Sequence, residues 1–389
     1  MQENYLKQLG KLGQSVWLDY IRRDLIAGGE LKRLINEDGL RGMTSNPAIF
    51  EKAIAGSHEY DSDIRAMALE GKDCHSIYAA LSQRDVQDAA DEFRSVYDAT
   101  DGQDGYVSLE VNPHLAHDTE GTVAEARSLW NVLNRPNVLI KVPATTEGIV
   151  AIQQLISEGI NVNVTLLFGL PRYSQVAKAY ITGIKSSLAQ GKTVTHVASV
   201  ASFFVSRIDT LVDPMLENII AKGGKEAQIA KQLRGQVAIA SAKAAYKIYQ
   251  EIFSADRFKE LIAQGARTQR LLWASTGTKN PDYSDVKYIE ALIGADTVNT
   301  APPKTLDAYR DHGKPKARLD QDIEEAESVL LRLAVLGINI DQVTQQLEDE
   351  GVKKFNQPFD DLMETLDKFD VGGLLLTNGL EHQSRELTE

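Results

Sequence analysis

The chain is 389 residues long, 43% hydrophobic and 25% charged, with a net charge of −13 and a single cysteine. Those proportions belong to a globular protein with room for one large α/β domain or two smaller ones. The acidic balance argues against nucleic acid and anionic membrane surfaces as partners, and the lone Cys74 excludes an intrachain disulfide and a thiolate metal cage.

The first residues, MQENYLKQLGKLGQSVW, lack the apolar core of a secretory signal. No run of about 18 apolar residues is present to span a bilayer, so a cytoplasmic protein is expected. Short apolar runs then recur, each followed by a longer stretch of helical periodicity. VWLD (16–19) and GMTSN (42–46) come first, and the segment 59–100 reads as two helices. YVSLEV (106–111) precedes EGTVAEARSLWNVLN (120–134), and VLIKV (138–142) precedes GIVAIQQLISEG (148–159). NVNVTLLF (161–168) precedes PRYSQVAKAYITGIKSSLAQ (171–190), and VASVASFF (197–204) precedes a segment, 207–268, that also reads as two helices. RLLWAS (270–275) precedes SDVKYIEALIG (284–294), and DTVNT (296–300) ends the series.

Eight such units predict an α/β fold, a (β/α)8 TIM barrel. Taking Asp19, Asn46, Glu110, Lys141, Thr165, Ser202, Ser275 and Asn299 as markers, the steps are 27, 64, 31, 24, 37, 73 and 24 residues. Five lie near the roughly 30 residues of one strand-helix unit, and the two long ones hold extra helices. Past Gly313, DIEEAESVLLRLAVLG (322–337) and PFDDLMETLDKF (358–369) read as amphipathic helices without partner strands. They are expected to pack on the barrel. No Gly/Ser/Pro linker sets them apart, so the expectation is one domain over 1–389, with a core at about 15–310 and added C-terminal helices at about 320–370.

Residues two apart on a strand share a face. Trp17 with Asp19, Thr44 with Asn46, Ser108 with Glu110, Asn163 with Thr165, Ser202 with Phe204 and Thr297 with Asn299 are therefore placed inside the barrel. Polar groups gather at the ends of the runs, which in a barrel form the C-terminal mouth. The bland alternative is that Ser, Thr and Asn there cap the helices that follow. It suits Ser275 and Thr300, and suits the charged Asp19, Glu110 and Lys141 poorly.

Lys141, in VLIKVPATTEG (138–148), poses the sharpest question. A lysine in an apolar run is either exposed or snorkelling, or it is a nucleophilic amine kept dry so that it can react neutral. An amine with two carboxylates among neutral hydrogen-bonding groups suits Schiff-base chemistry. The amine attacks a ketone, one carboxylate shuttles protons, and another takes a hydroxyl proton as a carbon–carbon bond breaks. The iminium draws off the electrons, so no metal or organic cofactor is needed. The histidines of HLAH (114–117) have no evident third ligand for a metal, and no GxGxxG, GxxxxGK[ST] or GxSxG motif appears. Arg207 in SFFVSRID (202–209) and Lys279 in ASTGTKNP (274–281) stand just past strand ends, where a phosphate could bind.

These blocks, with DGLRGMTSNPAIF (38–50), VSLEVNP (107–113) and WASTGTKN (273–280), resemble the transaldolase family in content and order, from about residue 15 to 310. The length resembles that of the longer bacterial members. The resemblance implies a barrel with Lys141 as the Schiff-base lysine and Asp19 as the acid/base for the C4 hydroxyl. It implies that Glu110 and Thr165 position the catalytic water. Asn46 and Asn163 would hold the dihydroxyacetone unit, with Thr44 beside them and Ser202 and Phe204 lining the pocket. Arg207 matches the phosphate arginine. Where many members carry a second arginine in an ASxRN-like loop, Lys279 is the nearest counterpart, with Ser275 in the same loop as a further binding residue. Ala48 stands where the family often has Ser or Thr.

The implied reaction carries dihydroxyacetone from sedoheptulose 7-phosphate to glyceraldehyde 3-phosphate, giving erythrose 4-phosphate and fructose 6-phosphate. A fructose-6-phosphate aldolase-like lyase is the nearest rival. Such lyases are much shorter, and resemble this site with Gln for Glu110 and Tyr for Phe204. A silent sugar-phosphate-binding barrel and a zinc-dependent aldolase are more distant rivals. Monomer and homodimer both stay open.

Overall fold

The computed structural model describes residues 4–369. The first three residues and 370–389, which the one-domain expectation includes, lie outside the described residues. Eight strands form a closed barrel in chain order: β1 (Gln14–Asp19), β2 (Gly42–Thr44), β3 (Tyr106–Glu110), β4 (Val138–Pro143), β5 (Val162–Leu167), β6 (Ser199–Phe204), β7 (Arg270–Ala274) and β8 (Thr297–Ala301). Neighbours pair in parallel all the way round, β1 closing on β8. Both faces of such strands are covered, by helices outside and side chains inside, and all eight are buried at nearly every position. Gly42 is required next to Trp17, because a Cβ there would sit 2.5 Å from the indole ring.

Register fixes which side chains face in. Asp19 pairs with Thr44, Thr44 with Ser108, Glu110 with Lys141, Lys141 with Asn163 and Pro143 with Thr165. In parallel strands directly paired residues share a face, so these side chains line one interior. The same rule overturns the reading of the last strand. Thr300 pairs with the inward Trp17, and Asn299 pairs with Trp273 on the outer face. Val298 and Thr300 face in, whereas Thr297 and Asn299 face the helices. There Thr297 donates to the Gly294 carbonyl and Asn299 accepts from Thr276.

Helix counts also depart from expectation. The segment 59–100 holds three helices (Asp61–Leu69, Cys74–Glu92 and Arg94–Ala99), and 207–268 is occupied by four (Ser206–Lys222, Gly224–Leu233, Val237–Ile252 and Ala255–Ala263). Glycines at 223, 224 and 235 have positive φ and break the second run where periodicity alone does not. Helices Thr119–Leu133, Thr146–Glu158 and Leu170–Ala189 start within two residues of their expected positions, whereas 284–294 shortens to Lys287–Ala291. Asp118 and Thr145 cap two of them, each accepting from a backbone N–H in the first turn.

At the C-terminus, Ile323–Val335 is a helix as expected, but PFDDLMETLDKF is only the end of one long helix, Ile340–Asp367, with Pro358 inside it. Tertiary packing outweighs the proline. Buried Leu347, Gly351, Phe355, Phe359 and Leu362 form one stripe, and Gly351 sits where a Cβ would meet Leu166 at 3.0 Å. Leu166 itself has φ of 53°, at a point where the β5–β6 register slips. A non-glycine residue holds that conformation at a cost of about 1 kcal/mol or more, and such strain gathers at working sites. Among the described residues no helix is long and apolar enough to cross a membrane.

Candidate active site

Lys141 is 4% exposed, which rules out both an exposed and a snorkelling side chain. Its Nζ stands 3.2 Å from Glu110 Oε2 and donates to the Ser45 carbonyl at 2.9 Å. Glu110 is equally enclosed, and its Oε1 has no protein hydrogen-bond partner. Burial pushes the Glu110 carboxyl up to about 7, against the pull of Lys141, while Asp19 adds to the rise. A carboxyl raised this far, 3.2 Å from the amine, is placed to exchange protons with whatever reacts there. Thr165, inward on β5, also carries a buried hydroxyl with no protein partner.

Asp19 ends β1 and accepts from the Thr44 hydroxyl at 2.8 Å; Thr44 in turn contacts the Thr300 hydroxyl at 2.7 Å. Loss of solvent raises the proton affinity of Asp19. Lys141, the Thr44 hydrogen bond, Lys279 and Arg207 oppose the rise, in that order. Lys141, Lys279 and Arg207 thus all act on one carboxylate. Arg207 lies at the start of helix Ser206–Lys222, its guanidinium 5.5 Å from the Phe204 ring and its Nη1 buried without a partner. Burial lowers its proton affinity and Asp19 restores part of it. Lys279 is exposed as a residue, yet desolvation and Arg207 lower the proton affinity of its ammonium, Asp19 opposes them, and Lys52 adds a smaller lowering. Two cations that share Asp19 and make no ion pair of their own among the described residues suit a dianionic group.

The other polar side chains around these groups are neutral. Asn163 donates to Ser108 Oγ at 3.0 Å and accepts from Ser202 Oγ at 2.6 Å, which fixes the orientation of its amide. Phe204 packs on Phe168 with ring centroids 5.1 Å apart. Asn46 accepts from the Ile49 N–H as the cap of helix Pro47–Ile54, which leaves its amide NH2 for another partner. Capping was expected of Ser275 and Thr300, and neither does it. Ser275, at φ 54°, contacts the Ser206 hydroxyl at 3.0 Å beside Arg207, and Thr300 supports Thr44.

All twelve expected residues therefore lie on inner strand faces or in the loops and helix starts at one end of the barrel. Five others join them. Alternation had placed Ser108 inside, whereas it had put Asn299 inside in place of Thr300 on a strand that is polar on both faces; Ser45 acts through its backbone carbonyl, which no sequence signal marks. Tyr78, whose proton affinity is raised by burial and then by Glu110, and Phe355, whose ring centroid is 5.7 Å from Lys141 Nζ, come from distant helices. The histidines of HLAH each face a carboxylate, His114 with Asp360 and His117 with Glu147, and among the described residues no group of three metal-ligating side chains forms. A cavity of about 800 Å³ opens at the other end of the barrel. There Arg270, Asp104 and Ser15 satisfy one another, as a structural plug would.

The family model described as transaldolase/fructose-6-phosphate aldolase matches residues 16–366. A protein of Trichodesmium erythraeum named transaldolase is 48% identical over 372 residues, covering 95% of this chain and 98% of its own. A transaldolase 2 of Nostoc punctiforme is 47% identical over 372 residues, with 94% and 98% covered. A transaldolase of Thiobacillus denitrificans is 47% identical over 360 residues, with 92% and 99% covered.

Proposed function

This chain belongs to the transaldolase/fructose-6-phosphate aldolase family, and we propose that it is a transaldolase of the non-oxidative pentose phosphate pathway. It moves a dihydroxyacetone unit from sedoheptulose 7-phosphate to glyceraldehyde 3-phosphate. The observation that carries the reading is the enclosed Lys141 amine, 3.2 Å from Glu110 and in electrostatic contact with Asp19.

Neutral Lys141 attacks the C2 carbonyl of the ketose. Glu110 carries protons as the carbinolamine loses water, and an iminium forms. Asp19 takes the proton of the C4 hydroxyl, the C3–C4 bond breaks, and its electrons pass to the iminium nitrogen. The first aldose leaves and an enamine stays on Lys141. The acceptor aldehyde enters, C3 attacks it, and Asp19 returns its proton to the new C4 oxygen. Water held by Glu110 and Thr165 then hydrolyses the iminium and frees the amine. Asn46 and Asn163 orient the three-carbon unit, with Thr44, Ser202 and Phe204 around it. Arg207, Ser275 and Lys279 hold the distal phosphate. The unpartnered hydroxyl of Thr165 and the unpartnered Nη1 of Arg207 support these assignments.

Residues 4–369 act as one barrel domain. Packing of the helix Ile340–Asp367 against Leu166 and Phe168 at the end of β5 supports this. The protein works in the cytoplasm on sugar phosphates, as a monomer or homodimer. The test is turnover of fructose 6-phosphate with and without an aldose phosphate acceptor. Acceptor-dependent consumption is expected. Free dihydroxyacetone as the main product with acceptor present would make the chain a lyase.

A further inference from the structure

The strands enclose Lys141 from the sides, and the long C-terminal helix covers it from above. Gly351 lets that helix approach Leu166 and Phe168 closely. One turn on, Phe355 is 4% exposed and stands over the amine, its ring centroid 5.7 Å from Nζ. A further turn on, Phe359 meets Tyr78 edge-on at 5.4 Å. Ion pairs hold the helix on both sides of Phe355: Glu348 accepts two hydrogen bonds from Arg172 at 3.0 Å, and Asp360 lies 2.6 Å from His114.

An apolar ring at that position has a chemical consequence. Between departure of the first aldose and arrival of the second, the three-carbon enamine is exposed to a side reaction. A proton adds to C3 and regenerates an iminium, water adds at C2, and the carbon–nitrogen bond breaks. Dihydroxyacetone and the free amine result. The proton taken at C3 is released again when the carbon–nitrogen bond breaks, so one water molecule is the net reagent, and water at the amine is what determines the loss. A ring over the nitrogen takes the space such water would occupy, and its face favours the cationic iminium.

We propose that Phe355 is a positioning residue that sets the partition between transfer and hydrolysis, by keeping water from the lysine-bound intermediate. The proposal rests on the Schiff-base reading of Lys141. The competing reading is that Phe355 is only a core residue of its helix. In that case its loss lowers stability and total rate without altering which product forms.

The experiment supplies fructose 6-phosphate and erythrose 4-phosphate and measures the ratio of free dihydroxyacetone to transferred product. In Phe355→Ala the ratio rises about tenfold over wild type, equivalent to about 1.4 kcal/mol in relative barrier height. Phe355→Trp, which restores an aromatic cover, returns it towards wild type. Should the alanine variant fail to fold, Phe355→Leu decides the matter, because it keeps the apolar stripe and removes the ring. An unchanged ratio in whichever variant folds overturns the proposal. Borohydride treatment of the wild type with fructose 6-phosphate separates the two layers. An adduct on Lys141 with an unchanged ratio removes only the shielding role, whereas no adduct removes the Schiff-base reading itself.

Discussion

Replacing Glu110 by Gln probes a buried carboxyl beside Lys141 whose proton affinity burial raises. The carboxyl sits at about 7 against an ordinary 4.5. The gap corresponds to about 3 kcal/mol by which the buried site favours the protonated form. In the proposed mechanism, ionisation of Glu110 through pH 7 produces the base that accepts a proton from the attacking water. Turnover of the wild type should rise with pH through about 7, and Glu110→Gln should lose that limb and fall by roughly 10² to 10⁴ in kcat. Stability carries the opposite sign. A carboxyl whose folded value is raised contributes stability that is present below 4.5 and lost as pH rises towards 7. Urea unfolding at pH 5 and pH 8 should therefore show the wild type losing more stability across that interval than the variant. A variant kcat within tenfold of wild type, or a surviving limb near pH 7, would refute the reasoning.

Asp19→Asn should slow carbon–carbon cleavage by roughly 10² to 10⁴ while leaving donor affinity close to wild type; single-turnover cleavage with a separate binding measurement tests this, and an unimpaired cleavage rate would count against it. Arg207→Gln removes a charged donor worth about 1.5 to 3 kcal/mol, so KM for phosphorylated donors should rise roughly 10- to 100-fold. Steady-state kinetics with fructose 6-phosphate check this, and an unchanged KM would take Arg207 out of the phosphate site.

Much of this was readable from the chain, for identifiable reasons. Strand alternation placed Asp19, Thr44, Glu110, Asn163 and Ser202 inside, because each sits among apolar neighbours that need the outer face. Lys141 stood out because a charge in such a run requires compensation, and Glu110 supplies it. The last strand misled because DTVNT is polar on both faces. Asn299 and Thr297 are polar outward, since Thr276 and the Gly294 carbonyl lie within reach there. Ser45 was hidden because it contributes a backbone atom. Phe355 was hidden because its relation to Lys141 is made by tertiary packing alone, through a helix that sequence rules cut at Pro358.

The most direct measurement is borohydride reduction in the presence of fructose 6-phosphate, followed by peptide mass mapping. A single stable adduct of the three-carbon unit on the peptide bearing Lys141, absent from Lys141→Ala, is the predicted result. An unmodified Lys141 peptide in an enzyme that still turns over, or an adduct on another lysine, would contradict the account.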